Sequence, residues 1–310
     1  MSKTISVVIC TKNRFDDFKE TVESLIGQYR LPNELVVVDS SDNDNLRQYL
    51  GSIELPCKYR YIHTVPGLTY QRNIGVKNSD GDLILFFDDD VELDPNYIGL
   101  VEKAFEEDAA HLVGAVGGRI SNSLEAESMV FVFWLKRKIF NILRYVFMQS
   151  DFGSGLFRYS GMPTHPHLLR SSRYIECLSG CCMAFRREVF RSVQFDENLS
   201  GYCYMEDADI SRQVLGAGYK IYYEASAVLN HKVSEQDRLM AGQFAEMAVL
   251  NYHYLFQKNR YQHLLRKLAY YWTLIGLFLL HGHSSLGRRG IFNGITRIYF
   301  SKKDNTAGLS

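Results

Sequence analysis

The chain has 310 residues, 46% hydrophobic and 23% charged, which suits one large domain with additions or two domains and excludes a chain without a core. Its 35 Lys and Arg balance 35 Asp and Glu, so no bulk field is directed at nucleic acid. The balance is uneven along the chain: from Met247 to Lys303 there are nine Lys or Arg and no acid, a basic face for an anionic partner.

The six cysteines, at 10, 57, 177, 181, 182 and 203, lie mostly in apolar contexts, and none forms a CxxC pair. They read as reduced core thiols of a cytosolic protein, with a zinc site at Cys177, Cys181, Cys182 and Cys203 as the alternative. The opening MSKTISVVIC is too short in its apolar run for a secretory leader. The longest apolar run, Leu268 to Leu280, falls short of the ~20 residues of a spanning helix.

In chain order, Ile5–Cys10 is a continuous apolar run of the kind found in buried parallel strands. Phe15–Tyr29 has helical spacing, with Phe18, Val22, Leu25 and Ile26 on one face. Glu34–Asp39 predicts a strand, Asn43–Leu50 a polar helix and Lys58–His63 a strand. Tyr70–Lys77 predicts a helix and Asp82–Phe87 a strand. A helix is expected from Pro95 to Glu107, with Asp94 as N-cap. Leu112–Ile120 is the next apolar run. This alternation implies a mostly parallel sheet with helices on both faces, and ligands bind such sheets outside the carboxyl ends of the strands. Thr11, Asp39 and the run Asp88–Asp90 should share that rim.

Residues 121–172 break the rhythm with an aromatic and basic stretch followed by a loop from 151. Regular structure resumes over Tyr174–Arg186, and a helix is expected from Glu206 to Leu215, stopped by Gly216 and Gly218. The strands Tyr219–Tyr223 and Ala227–Asn230 follow, then a mainly helical, basic extension from Glu235.

The stretch Asp88–Asp89–Asp90 ends a greasy strand with three like charges. Two carboxylates a few Å apart repel by roughly 1 kcal/mol in water and about 4 kcal/mol near a protein surface. Either the run is a solvated turn, or it holds a hard divalent cation, for which carboxylate oxygens are the preferred ligands. In extended backbone Asp88 and Asp90 point the same way, with Asp89 turned aside.

Six stretches then occur in a telling order: VVICTKNR, VVVDSSD, GLTYQRNIGVKNSDGDLILFFDDD, LSGCCMAFRREVF, YMEDADISRQVLGAGYKIYY and VLNHKVS. Together they resemble the inverting family 2 glycosyltransferases of the GT-A fold, over residues 4 to 234. The resemblance implies a Rossmann-like α/β domain with a helical C-terminal extension. It divides the chain into a nucleotide-sugar-binding half (1–120), the insertion (121–172), an acceptor-binding and catalytic half (173–234) and the basic extension (235–310). It also implies site residues. Thr11, Asp39, Arg72, Asp88 and Asp89 would bind the nucleotide sugar, Asp39 at the base and Arg72 near the diphosphate. Asp90, Asp88 and His231 would hold Mg²⁺ or Mn²⁺, and Asp207, beside Glu206, would be the catalytic base.

Plainer readings stand beside these: a surface charge for Arg72, a surface histidine for His231, and ordinary helix-start acids for Glu206 and Asp207. There are also departures from the family pattern. No QxxRW is present, which favours addition of a single sugar over processive synthesis. Val193–Gln194–Phe195–Asp196–Glu197 stands where the family often has Gly-Gly-Phe-Asp-Glu.

The expected partners are a nucleotide sugar, with uridine as the first choice of base, and a glycan or lipid-linked acceptor; nucleic acid is not expected, and an oligomer is open. Met129–Met148 and Leu264–Phe300 mix aromatics with Lys and Arg and lack acids, as segments lying on anionic lipid do. That places the protein in the cytoplasm, at the cytoplasmic face of the membrane; packing on the core or a dimer interface is the alternative for these stretches. The competing activities are a sugar nucleotidyltransferase, against which Thr11–Lys12–Asn13–Arg14 lacks a glycine-rich phosphate loop, and a non-catalytic membrane-associated scaffold.

Overall fold

The computed structural model describes residues 3–121, 131–167, 169–199, 203–232, 240–261, 263–280 and 285–300, the side chains of 131–137 and 285 excepted. Residues 122–130, 233–239, 281–284 and 301–310, parts of stretches named above, lie outside them.

The first half alternates as its pattern predicts: β1 (Ile5–Thr11), α1 (Phe15–Ile26), β2 (Glu34–Asp39), α2 (Asn45–Ser52), β3 (Lys58–His63), α3 (Leu68–Lys77), β4 (Leu83–Phe87), β5 (Val91–Leu93), α4 (Tyr97–Glu106) and β6 (Val113–Ile120). Then come α5 (Phe131–Val146), β7 (Arg173–Ile175), β8 (Cys182–Arg186), a 3-10 turn over Arg187–Arg191, α6 (Glu206–Gly216), β9 (Lys220–His231), α7 (Ala241–Lys258), α8 (Leu264–Leu280) and α9 (Ser285–Tyr299).

The strands form one sheet in the order β3-β2-β1-β4-β8-β6-β9-β5, with β7 beside β9. The ladders joining β3, β2, β1 and β4 are parallel, as is β6 with β9. β8 runs antiparallel between β4 and β6. Because β8 reverses direction on both sides, β9 runs parallel to β4. Its carboxyl end, His231, therefore reaches the same rim as Thr11, Asp39 and Asp88.

The continuous apolar strands are buried on both faces. Val7 and Ile9 join Phe18, Val22, Leu46, Ile98 and Phe105 of α1, α2 and α4. Val8, between them, faces the opposite way toward Phe195 and toward Ile210 and Val214 of α6. Each such side chain removed from water contributes about 1.5–3 kcal/mol before chain entropy is subtracted. A third cluster, with Val249, Tyr252, Phe256, Tyr270, Leu274 and Ile291, packs the C-terminal helices against Cys203, Met205 and Ala208. No helix of the described residues is long and apolar enough to cross a membrane.

Three details differ from the sequence pattern. α4 starts at Tyr97, because Asp94 forms a turn instead of capping: its Oδ1 accepts from Asn96 N at 3.0 Å and its carbonyl from Tyr97 N at 2.9 Å. The short strand β5 is unexpected; three residues are too few to show a period, and it forms only by pairing with the end of β9. The two expected strands at 219–230 are one strand, β9, whose register jumps from Gly118↔Glu224 to Arg119↔Val228.

The helix α3 lies close on β1. A Cβ placed on Gly75 would come within 2.4 Å of Val8 Cγ1, so only glycine lets α3 approach. Gly75→Ala is expected to lower stability by about 1–3 kcal/mol through overpacking. Urea unfolding, with an unchanged m-value, checks this.

Candidate active site

A cavity of about 840 Å³ opens at the carboxyl rim, lined among others by Thr11, Arg72, Asp88, Asp90, Asp207 and His231. Asp88 and Asp89 each meet an arginine, and Asp90 meets a histidine and, farther off, the arginine of Asp89. Asp88 Oδ1 is 3.1 Å from Arg72 Nη2 of α3. Asp89 turns back under the rim, 3.1 Å from Arg14 and accepting from Thr11 Oγ1 at 2.6 Å. Asp90 is 3.0 Å from His231 Nε2 of β9 and 3.8 Å from Arg14. Burial pushes Asp89 up to about 7, against the pull of Arg14 and Thr11. Burial also works against a charge on His231, but its hydrogen bond to Asp90 and the charge of Asp88 outweigh it and raise its pKa.

Asp88, Asp90 and His231 offer ligand atoms that all lie within 4.8 Å of one another. Among the described residues no such group involves cysteine, so the alternative zinc set is not assembled. All six thiols are free, and four of them are buried.

Arg72 is no surface charge. Its side chain is 2% exposed, with Nη2 donating to Gly180 O at 2.9 Å and Nη1 2.5 Å from Glu206 Oε1. Burial drives Glu206 upward while Arg72 opposes it. Burial likewise opposes the charge on Arg72, but Glu206 and Asp88 hold it on. Removing either partner would leave an uncompensated buried group, so the two are coupled in place. Glu206 is thus the counter-ion of Arg72, and Asp207 is left facing the cavity.

The segment before α6 enters through left-handed backbone at Cys203 (φ 56°) and Met205 (φ 74°), a conformation that favours glycine. This places Glu206 and Asp207 in the first turn of α6, where backbone N–H groups favour anions. Asp207 Oδ2 accepts from Gly180 N at 3.0 Å and Oδ1 from Ala208 N at 2.7 Å. Two residues on, Asp209 is held by Lys258 of α7 at 2.7 Å, and Lys258 also meets Asp196 at 2.5 Å. The C-terminal helices therefore brace the helix that carries Asp207.

Asp39 is fully buried at the end of β2. Its carboxylate accepts from Ser41 N at 2.8 Å and from Tyr61 OH at 2.8 Å. Thr11 uses its carbonyl inward, accepting from Ser40 N at 3.0 Å and Gln71 Nε2 at 3.1 Å.

Several residues of this region carry no signal that the sequence pattern could weigh. Arg14 could have been found as a cation three residues past a strand end, opposite the acids. Gln71, which bridges β1 and β2 through Thr11 O and Val38 O, could not. Nor could Tyr204 and Phe244, which line the cavity from the segment before α6 and from α7.

An α/β sheet with an acid-lined rim of this kind is the GT-A fold. Two solved structures show it: a mannosyltransferase from Pyrobaculum calidifontis in complex with GDP-Man and Mn²⁺ (TM-score 0.55, 16% identity, 97% of this chain and 82% of that one), and GalNAc-T7 with UDP, GalNAc and Mn²⁺ (TM-score 0.57, 16% identity, 88% and 55%). The family model for glycosyl transferase family 2 matches residues 6–194, and the chain belongs to that family. It is 26% identical over 247 residues to a glucosyl-dolichyl phosphate glucuronosyltransferase of Haloferax volcanii, covering 74% of this chain and 70% of that protein. It is 34% identical over 115 residues to an N-acetylglucosaminyl-diphospho-decaprenol L-rhamnosyltransferase of Mycobacterium tuberculosis, covering 36% of each. The protein is a glycosyltransferase.

Replacing Arg72 by Met would strand Asp88 and Glu206 without their shared cation. A loss of about 3–5 kcal/mol is expected, as for removal of one partner from a buried pair, and thermal or urea unfolding measures it.

Proposed function

We propose that the protein transfers a single sugar from a nucleoside-diphosphate sugar, a UDP-sugar first, to a hydroxyl of a glycan or lipid-linked acceptor, with inversion. The observation that carries this is one cavity with a cation-ligand set on one wall, Asp88, Asp90 and His231, and a helix-start carboxylate, Asp207, on the other.

The ligand set fits the cation. Two carboxylates and one imidazole suit Mn²⁺, or Mg²⁺ completed by diphosphate oxygens, and two structural neighbours hold Mn²⁺. Bound there, the ion would neutralise the charge growing on the leaving diphosphate. Asp90 and His231 would hold it, and Asp88 would share it while facing the donor's sugar or ribose. Arg72 keeps Asp88 aimed and the local charge balanced. Thr11 lines the cavity and borders the nucleotide, while Asp39, buried with its carboxylate on Ser41 N and Tyr61 OH, shapes the rim beside the base from behind.

Asp207 takes the acceptor's proton as the new glycosyl–oxygen bond forms. A single displacement with one base inverts the anomeric carbon. Residues 1–120 then serve as the donor half, and 173–234 as the acceptor half. Asp207→Asn is expected to lower turnover by about 10²–10⁴-fold while nucleotide-sugar binding, followed by thermal shift, persists. His231→Ala should weaken Mn²⁺ binding at least about tenfold, read by calorimetry with the nucleotide present. Near-normal turnover in the first variant would remove the base assignment. Pyrophosphate release from a nucleoside triphosphate and a sugar phosphate would indicate the nucleotidyltransferase instead, and failure to bind any nucleotide with Mn²⁺ the non-catalytic scaffold.

The relatives named for dolichyl phosphate and decaprenol substrates support a lipid-linked acceptor. So does the outer face of α8 and α9, where Leu264, Leu265, Leu268, Leu286 and Phe292 are each more than half exposed. Lys267, Arg288 and Arg289 are exposed among them. Such a face suits contact with an anionic membrane. The protein should sediment with vesicles containing phosphatidylglycerol and not with phosphatidylcholine alone, and Leu268→Ser with Phe292→Ser should reduce that binding.

A further inference from the structure

We propose that His165, on the loop between α5 and β7, is a positioning residue that fixes and polarises the carboxylate of Asp207. This rests on the reading of Asp207 as the base.

The ring's Nδ1 is 2.9 Å from Leu178 O. A carbonyl oxygen only accepts, so Nδ1 carries the hydrogen. The same N–H edge faces Asp207 Oδ2 at 3.6 Å. That separation is too long for a hydrogen bond, so the N–H acts on the carboxylate as an oriented dipole. Oδ2 also receives Gly180 N–H at 3.0 Å, and Oδ1 receives Ala208 N–H at 2.7 Å. Two backbone N–H groups thus bond the carboxylate and the His165 N–H stands beside it, supplied from outside the 178–208 part of the chain. Preorganised dipoles of this kind act strongly where water is sparse.

The loop that carries His165 is itself held. Leu156 and Thr164 bond to each other through Leu156 N and Thr164 Oγ1 at 3.1 Å and through Thr164 N and Leu156 O at 3.2 Å. Glu176 N and Cys177 N both donate to Gly155 O, at 2.8 and 2.9 Å. Phe157 N donates to Glu176 Oε2 at 2.8 Å. These bonds tie the loop to the strand entering the Leu178–Gly180 turn, so His165, Leu178 O and Gly180 N form one rigid unit under Asp207.

The other titratable groups near Asp207 cannot replace this N–H. Glu206 carries like charge and is engaged by Arg72. Burial holds Cys177 and Tyr204 as neutral thiol and phenol. His167, whose ring lies 5.5 Å from that of His165, is lowered to about 4 by burial first and then by His165, against Asp207 and Asp151, with Arg144 of α5 adding to the lowering. It is therefore neutral where the enzyme would work.

The test compares His165→Phe, which fills the space without an N–H, with His165→Asn, whose side-chain amide N–H can replace that of Nδ1. Folding of each is checked by circular dichroism and thermal unfolding. We expect His165→Phe to lower kcat by about tenfold to a hundredfold, the scale of a misplaced catalytic group, with the donor KM unchanged. The acid limb of its kcat–pH profile should move to higher pH, because a carboxylate that loses a stabilising N–H is easier to protonate. His165→Asn should restore most of the rate and return the limb. In the Asp207→Asn background the His165→Phe change should have no further effect. A His165→Phe enzyme with wild-type kcat and an unmoved acid limb overturns the proposal, as does an equal loss in the Asp207→Asn background. An active Asp207→Asn enzyme removes the base reading itself, and the proposal with it.

Discussion

Three carboxylates on consecutive residues repel one another at one strand end, and the fold relieves this by bringing a different partner side chain to each. Here Asp88 takes Arg72 from α3, Asp89 takes Arg14 from the turn after β1, and Asp90 takes His231 from the end of β9. Unrelieved, neighbouring like charges near a protein surface repel by about 4 kcal/mol per pair. The folding of three separate elements onto one rim offsets that repulsion. It also sorts the acids by role: Asp89 is turned into the structure, while Asp88 and Asp90 face the cavity.

Arg72 extends this balance across the site. One guanidinium bridges Asp88, Glu206 and the carbonyl of Gly180, so the strand end that carries Asp88 and the helix start that carries Asp207 are tied through a single buried side chain. Glu206 is consumed in that tie, and Asp207 is released to the cavity. On its far side α6 is fastened to α7 by Lys258, which meets both Asp196 and Asp209. The basic C-terminal extension is therefore part of what holds α6 at the cavity, besides offering an outer face rich in exposed apolar and cationic side chains.

Much of this was legible in the residues. The continuous apolar runs marked β1, β2 and β4 because strands buried on both faces leave no polar alternation. The acids at Asp88–Asp90 and Glu206–Asp207 stood out as chemistry, and the structure brings them to one cavity together with Thr11, Arg72 and His231. Asp39 was legible as a rim residue, but its capture by Tyr61 OH, from the next strand, was not. β5 was hidden for the reason that hides most short edge strands: it exists only as a partner to another strand.

By itself, the sequence determined the alternating α/β order, the buried strands and the identity of the clustered acids. These follow from local periodicity and residue type. Only the tertiary structure decided which cation meets which acid, that Glu206 and not Asp207 pairs with Arg72, and that a histidine from an irregular loop faces Asp207. Those pairings join residues 16 to 141 positions apart, with lone side chains as partners. No repeating pattern along the chain records a contact made once, across space, between two such groups.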